Sequence, residues 1–292
     1  MTLAVDDIDR LTGRKVGTFD VPCPLCGPGR KTPSNRNRKT MRIWRSTLTF
    51  ATYYCARCEE GGHTREDGAE RVDPAEWARV RAETQRLREA TEAERQSKAR
   101  RMWRLRQPLA RTIGEKYLRV VRRYSGPLPP TIDFLPALGD FSPAIISAVG
   151  FAKESGSIDP SAIQAVHLTR LARDGSGKAG TDHDKIMIGT PKGSPIVLAP
   201  INDGLGLAIC EGIEDGLSLF EATGLGVWVA GSASLLPSLS AAVPSFVETV
   251  SIIADPDDVG QRGALALAKN LDARKIKNSV IVWNDRKRGR AI

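Results

Sequence analysis

Histidine is scarce in this sequence, aromatic residues are few and no apolar run is long. The three histidines, His63, His167 and His183, stand in no Ser-His-Asp or Cys-His arrangement, so acyl transfer by an activated serine or cysteine is not encoded. No apolar run reaches the roughly 18 residues of a membrane span, which excludes a membrane partner of that kind. The first ten residues, MTLAVDDIDR, lack the basic start and apolar stretch of a secretory signal, and the expected location is the cytoplasm. Gly175-Ser-Gly177-Lys178 is no phosphate-binding P-loop. Ala172 holds the first glycine position, and Ala179 stands where a Ser or Thr would bind magnesium. No nucleotide-driven motor follows from it. Internal repeats and low-complexity tracts are absent.

Acid is also short relative to base. With 43 Lys and Arg against 34 Asp and Glu, the 292 residues carry a formal charge of +9, which favours a polyanionic partner. The excess is localised. Arg30, Lys31, Arg36, Arg38, Lys39, Arg42 and Arg45 form an acid-free stretch, and Arg286, Lys287, Arg288 and Arg290 form a second cluster.

Four of the five cysteines fall as two Cys-x-x-Cys pairs, Cys23/Cys26 and Cys55/Cys58. In a cytosolic chain such pairs mark a metal site. Two knuckles with strands between them, Met41–Trp44 and Leu48–Tyr54, would give one structural Zn²⁺ four thiolates, as in a zinc ribbon. His63 is read as a bystander, and Cys210, in an apolar run, as a buried small hydrophobe.

The expected fold class is α/β, in four parts. Residues 1–70 form the zinc ribbon, and residues 71–108 a charged helical linker. That helix starts at Asp73-Pro74-Ala-Glu76 and runs to about Arg106, with Trp77, Val80, Leu87 and Leu105 too sparse to bury a broad face. Residues 109–200 form a small α+β subdomain, with a helix over Ile113–Arg123 and strands over Ala165–Leu171 and Lys185–Ile188. Residues 201–292 form a Rossmann-like domain on a parallel sheet. Its strands are Leu207–Cys210, Val227–Ala230, Val250–Ala254 and Val280–Trp283, and its helices Glu214–Thr223, Ser234–Ala241 and Val259–Leu271.

Carboxylates gather at two strand ends of that last part, where open α/β sheets place their sites. The first strand runs into Glu211-Gly212-Ile-Glu214-Asp215, the third into Asp255-Pro256-Asp257-Asp258 and Gly260. Grouped carboxylates repel one another unless a cation sits among them. Helix capping accounts for Asp258 but not for three acids in four positions.

These motifs resemble the Toprim superfamily, which includes bacterial-type primases, topoisomerases, certain nucleases and recombination mediators. The Glu-Gly-x-x-Asp form, and an Asp-x-Asp followed closely by Gly, look most like the primases. Asp174-Gly-Ser-Gly-Lys178 and Lys185-x-Met-x-Gly189 are similar to the prophage and mobile-element branch. The resemblance, with the ribbon, covers most of the chain. It implies that Glu211, Asp255 and Asp257 hold two catalytic Mg²⁺ or Mn²⁺ ions, with Asp215 as an auxiliary acid and Asp285 in place of a later family acid. Lys185, and with it Lys178, would contact nucleotide phosphate. The ribbon would grip single-stranded DNA through Arg36, Arg38, Lys39, Arg42 and Arg45, stacking bases on Trp44, Tyr53 or Tyr54.

The implied reaction is synthesis of short primers from nucleoside triphosphates during phage or mobile-element DNA replication, beside a separate replicative helicase. A Toprim nuclease and a non-catalytic DNA-binding recombination or replication accessory protein are the alternatives. A type IA topoisomerase is disfavoured: the bulk that forms its gate is lacking, and Tyr53, Tyr54, Tyr117 and Tyr124 sit in no nucleophile context.

Overall fold

The structure, a computed structural model, describes residues 3–30, 33–58, 60–66 and 74–282. It divides into two compact units, 1–82 and 83–292. Lys31, Asp285, the helix start at Asp73 and the basic cluster from Arg286 lie outside the described residues.

The first unit contains helix α1 (Val5–Thr12), strand β1 (Gly17–Pro22), the single turn α2 (Pro33–Arg36), and strands β2 (Lys39–Thr47), β3 (Phe50–Cys55) and β4 (Gly61–Arg65). The strands form one antiparallel sheet in chain order. Met41, Ile43 and Arg45 alternate along β2 and all turn inward, as period-two geometry requires. Leu3 and Ile8 pack with Met41, Ile43, Ala51 and Tyr53 into a small core. Sequence reading gave no element before β1, and α1 supplies part of that core.

Helix α3 (Pro74–Arg104) ends close to the expected boundary but is not solvated throughout. Ala99 and Trp103, four residues apart, are fully buried with Ile146, Ile163, Val166 and Leu168. Gln96 donates to Gln164 Oε1 at 2.7 Å and Thr190 Oγ1 at 2.8 Å. The expected linker therefore ends in core. Among the described residues the contact is carried at the end of the helix by Ala99 and Trp103, with Met102 packed against them, which gives no continuous amphipathic face to read in the sequence.

After the short helix α4 (Ile113–Lys116) and a π-helical turn (Tyr117–Val121) come β5 (Ile132–Leu135), β6 (Ala144–Val149), β7 (Ala165–Arg170) and β8 (Lys185–Gly189), an antiparallel sheet in chain order. Then follow β9 (Ile196–Ala199), β10 (Gly206–Cys210), α5 (Ile213–Thr223), β11 (Gly226–Val229), α6 (Leu236–Leu239, with 3-10 turns at both ends), β12 (Thr249–Ala254), α7 (Asp258–Ala273) and β13 (Lys277–Val282). These strands form a five-stranded sheet in the order β13-β12-β10-β11-β9, parallel except for β9.

The four parallel strands match the sequence expectation; over Ile196–Ala199, inside the preceding subdomain, no strand was expected, and the antiparallel β9 is found there. In β10, Ala208 and Cys210 enter one core and Leu207 and Ile209 the other. Helix α5 covers the first face and α6 and α7 the second, which explains why these strands read as unbroken apolar runs. The first of these cores also takes in Tyr117, Leu118, Phe134 and Ile145, so the α+β segment and the parallel sheet share one interior.

Candidate functional site

Strands β10 and β12 are neighbours, paired in parallel with Cys210 opposite Ile253. Glu211 and Asp255 follow these two strand ends directly. The next helices leave to opposite faces, α5 to one core and α7 to the other. The crevice between them is the switch point where open α/β sheets bind ligands.

Close packing explains the spacing of both acidic motifs. A Cβ on Gly260 would lie 2.8 Å from Asp255 Cβ and 3.0 Å from its carbonyl oxygen, so only glycine lets α7 start against Asp255. Asp257 is the N-cap of α7, its Oδ1 accepting the Gly260 N–H at 2.7 Å. The capping role given to Asp258 thus belongs to Asp257, because Asp258 is already the first helical residue. At the other strand end, a Cβ on Gly212 would stand 2.6 Å from Asp215 Oδ2. Asp215 folds back over that glycine.

Glu211 is half-buried. Burial first, then the Asp255 carboxylate, pushes its carboxyl above the usual range, with Asp257 adding to the effect; the Ala233 N–H and the Lys185 ammonium oppose them. The enclosed Cys210 thiol is raised well above its ordinary value by burial, and then by Asp215, Asp255 and Glu211. Three carboxylates therefore act on the end of one strand. A hard divalent cation relieves such repulsion, and an all-oxygen donor set suits Mg²⁺ or Mn²⁺.

Beside this rim lies a group that sequence reading did not assemble. Glu214 Oε1 accepts from Tyr117 Oη, Arg122 Nη2 and Lys178 Nζ, each at 3.1 Å, and Lys185 Nζ stands 3.7 Å from Oε2. Arg122 Nε also donates to Tyr117 Oη at 2.8 Å. Burial would raise the Glu214 carboxyl, but the Lys185 and Lys178 ammonium groups outweigh it and hold it well below the usual carboxylate range. Burial, followed by the Glu214 charge, pushes the Tyr117 phenol up to about 12, so it stays a donor. Lys185 acts on both Glu211 and Glu214; the acidic rim and the cations adjoin.

In the first unit, the Sγ atoms of Cys23, Cys26, Cys55 and Cys58 all lie within 4.8 Å of one another, with Cys23–Cys58 and Cys26–Cys55 both at 3.9 Å. A tetrahedron with Zn–S bonds of about 2.3 Å has edges of about 3.8 Å. Gly27 makes the first knuckle possible, since a Cβ there would lie 2.5 Å from the Cys23 carbonyl oxygen. Burial works against the Cys55 thiolate, yet the N–H groups of Cys58 and Arg57 and the Thr40 hydroxyl bring it down to about 6. The donor set fits one Zn²⁺.

Residues 206–289 match the family described as the Toprim domain. That part of the chain is a Toprim domain. Residues 93–198 match a family described as a domain of unknown function (DUF7146), and no curated protein matches the chain. Among solved structures, the chain is similar to the primase fragment of the bacteriophage T7 primase-helicase protein, with 13% identity, coverage of 90% of this chain and 89% of that one, and a TM-score of 0.38. It is also similar to the zinc-binding and RNA polymerase domains of the Aquifex aeolicus primase, with 13% identity, coverage of 97% and 80%, and a TM-score of 0.42.

In the Toprim domain Glu211 and Asp255 follow neighbouring strand ends, with Asp215 and Asp257 just beyond them, and the preceding segment adds Lys178 and Lys185 beside Glu214. Arg122, Tyr117 and Glu214 were missed. An acid in the first turn of a helix is ordinary, and Arg122 looks like any base at a helix end. In the first unit Arg36, Arg38 and Lys39 are exposed, whereas Arg42 is held by Asp20 through two bonds of 2.7 Å and Trp44 is half-buried. Two expectations are corrected. Arg45 is only 2% exposed, paired with Asp9 and donating to Thr12 Oγ1 at 3.0 Å, so it braces α1 and cannot reach DNA. Tyr53 is 3% exposed and its hydroxyl accepts the Leu3 N–H at 3.0 Å, so it offers no face to a base.

His167 on β7 is buried opposite Met187, and burial, then the Lys185 ammonium, push it down to about 4. The unfolded chain therefore takes up a proton at about pH 6.5 that the native protein refuses until about pH 4. Stability contributed by His167 is complete above pH 6.5 and is lost on acidification, about 3 kcal/mol across that window. Denaturant melts of wild type and His167→Gln at intervals from pH 4.5 to 7.5 should differ in slope by up to about 1.4 kcal/mol per pH unit. Parallel curves would show that His167 is not held neutral.

Proposed function

We propose that this protein is a DNA primase that joins nucleotides on a single-stranded DNA template. The observation that carries the reading is the juxtaposition of an acidic rim, Glu211 with Asp255 and Asp257, and a cationic group, Arg122 with Lys178 and Lys185. Carboxylates alone suit hydrolysis or transfer of phosphate esters. Adjoining cations add a place for the extra charge of a triphosphate.

Glu211, Asp255 and Asp257 would hold two Mg²⁺ or Mn²⁺ ions, which supply charge neutralisation at the attacking and leaving oxygens. Asp257 keeps α7 capped with one oxygen and would offer the other to a metal ion. Asp215, folded over Gly212, would act as the auxiliary acid, and Asp285 would serve as a later ligand. Lys178, Lys185 and Arg122 would draw in the nucleotide's phosphates and orient them toward the rim. Tyr117 keeps the Arg122 guanidinium in place. In the first unit one zinc ion would fix the ribbon, and Arg36, Arg38 and Lys39 would contact template phosphates, with Arg42 and Trp44 further along β2, the strand that Lys39 begins. Phage or mobile-element replication in the cytoplasm, beside a separate replicative helicase, is the proposed setting.

Incubation with single-stranded DNA, labelled nucleoside triphosphates and Mg²⁺ or Mn²⁺ should give short, template-dependent products. Degradation of the DNA would favour a Toprim nuclease, and binding without any product would favour an accessory protein. The DNA contacts have their own readout. Each phosphate contact on a single strand adds about −0.7 to the slope of log K against log salt, so replacing Arg36, Arg38 and Lys39 together by Ala should flatten that slope by about 2. An unchanged slope would remove these residues from the interface.

A further inference from the structure

The carboxylate of Glu214 occupies the place an anionic oxygen would take among three cations. Its own side chain is 11% exposed, while those of Arg122, Lys178 and Lys185 are 31%, 30% and 45% exposed. The cations thus reach solvent and the carboxylate does not. They come from three separate segments: the end of the π-helical turn, the turn at 174–178 and the start of β8. Tyr117 holds Arg122 locally, but what the three share is Glu214, and each is a long side chain whose fixing costs entropy. Three positive charges against one negative leave the group at +2. One carboxylate can gather these side chains but cannot satisfy them.

We infer that Glu214 is a built-in counter-ion, a positioning residue that holds Arg122, Lys178 and Lys185 together until the phosphates of a polyphosphate ligand displace it from them. The inference rests on the proposed function only for the identity of the polyphosphate as a nucleoside triphosphate. It assigns Arg122 as a third phosphate contact and gives Glu214 a regulatory role, in that its charge competes with the ligand. Lys178 donates to the same oxygen as Arg122, so a single phosphate oxygen arriving there would take over both bonds. Tyr117, kept protonated, would still donate after the exchange.

Inorganic tripolyphosphate, added to the zinc-loaded protein in buffer without Mg²⁺, Mn²⁺ or chelator, tests the cations apart from any metal at the acidic rim. Glu214→Gln keeps the size and hydrogen-bond acceptor of the side chain but removes the competing charge. It should bind tripolyphosphate about tenfold more tightly than wild type by calorimetry, about 1.4 kcal/mol, a value discounted for partly exposed partners. A destabilised site would bind more weakly, so tightening is an effect that a merely structural role would not produce. Unchanged or weaker binding by a variant with a normal thermal melt overturns the inference. Should Glu214→Gln fail to fold, Arg122→Gln decides: binding weakened about fivefold or more upholds the third contact, and binding equal to wild type removes it. Primer synthesis without this tightening would sink the counter-ion and leave the primase reading standing. Tightening in a protein that makes no primers would keep the polyphosphate site and remove the primase.

Discussion

Glu211→Gln should reduce primer synthesis by roughly 10²-fold or more, a loss of about 2.7 kcal/mol of transition-state stabilisation. The substitution keeps size and hydrogen bonding while removing the charge that burial and Asp255 already make costly to hold. Asp255→Asn and Asp257→Asn should do the same, and a double variant should be little worse than either single one, because the three act as a unit. Asp257→Asn needs a control, since its Oδ1 also caps α7. Asparagine caps about as well as aspartate, so its melting temperature should stay near that of wild type while activity falls. Binding of single-stranded DNA should survive all three changes. Primer synthesis persisting in Asp257→Asn would move the metal site elsewhere.

The second large effect concerns the cysteines. Cys55→Ser, or removal of zinc by a chelator, should unfold the first unit and leave the second folded. The core of Leu3, Ile8, Met41, Ile43, Ala51 and Tyr53 is small for a unit of this size. Binding of one zinc supplies about 10–16 kcal/mol of apparent free energy, enough to decide the balance. Metal analysis should find one equivalent in wild-type protein, and calorimetry of Cys55→Ser should lose one transition only. Less than half an equivalent of zinc, or an unaltered first transition, would leave the thiols as ordinary cysteines.

The acidic rim was legible in the sequence because both motifs are short-range. Each is a strand end, a glycine at a fixed offset and a helix start, and Gly212 and Gly260 mark backbone approaches that a Cβ would block. The cysteine pairs were legible for the same reason. The Glu214 group was not, since it joins positions 117, 122, 178, 185 and 214, each unremarkable alone. Strands β6 and β9 were missed as well. Their apolar runs sit between Pro143 and Gly150 and between Pro195 and Pro200, and read as loop punctuation as easily as strand. Arg45 could have been recovered: it continues the alternation of Met41 and Ile43 along β2, and so had to face inward.

Strand β9 makes the Toprim domain a borrower. Val197 pairs with Trp228 and Ile196 with Val229, and the sheet edge they cover is made from residues that precede the family match at 206. A piece cut at residue 201 would leave β11 with a bare backbone edge and an apolar flank, the template on which sheets from separate molecules join. Grafting this domain onto another protein should include the preceding segment, so that β9 still covers the edge of β11. The unit that completes the sheet is therefore longer than the unit that carries the acids.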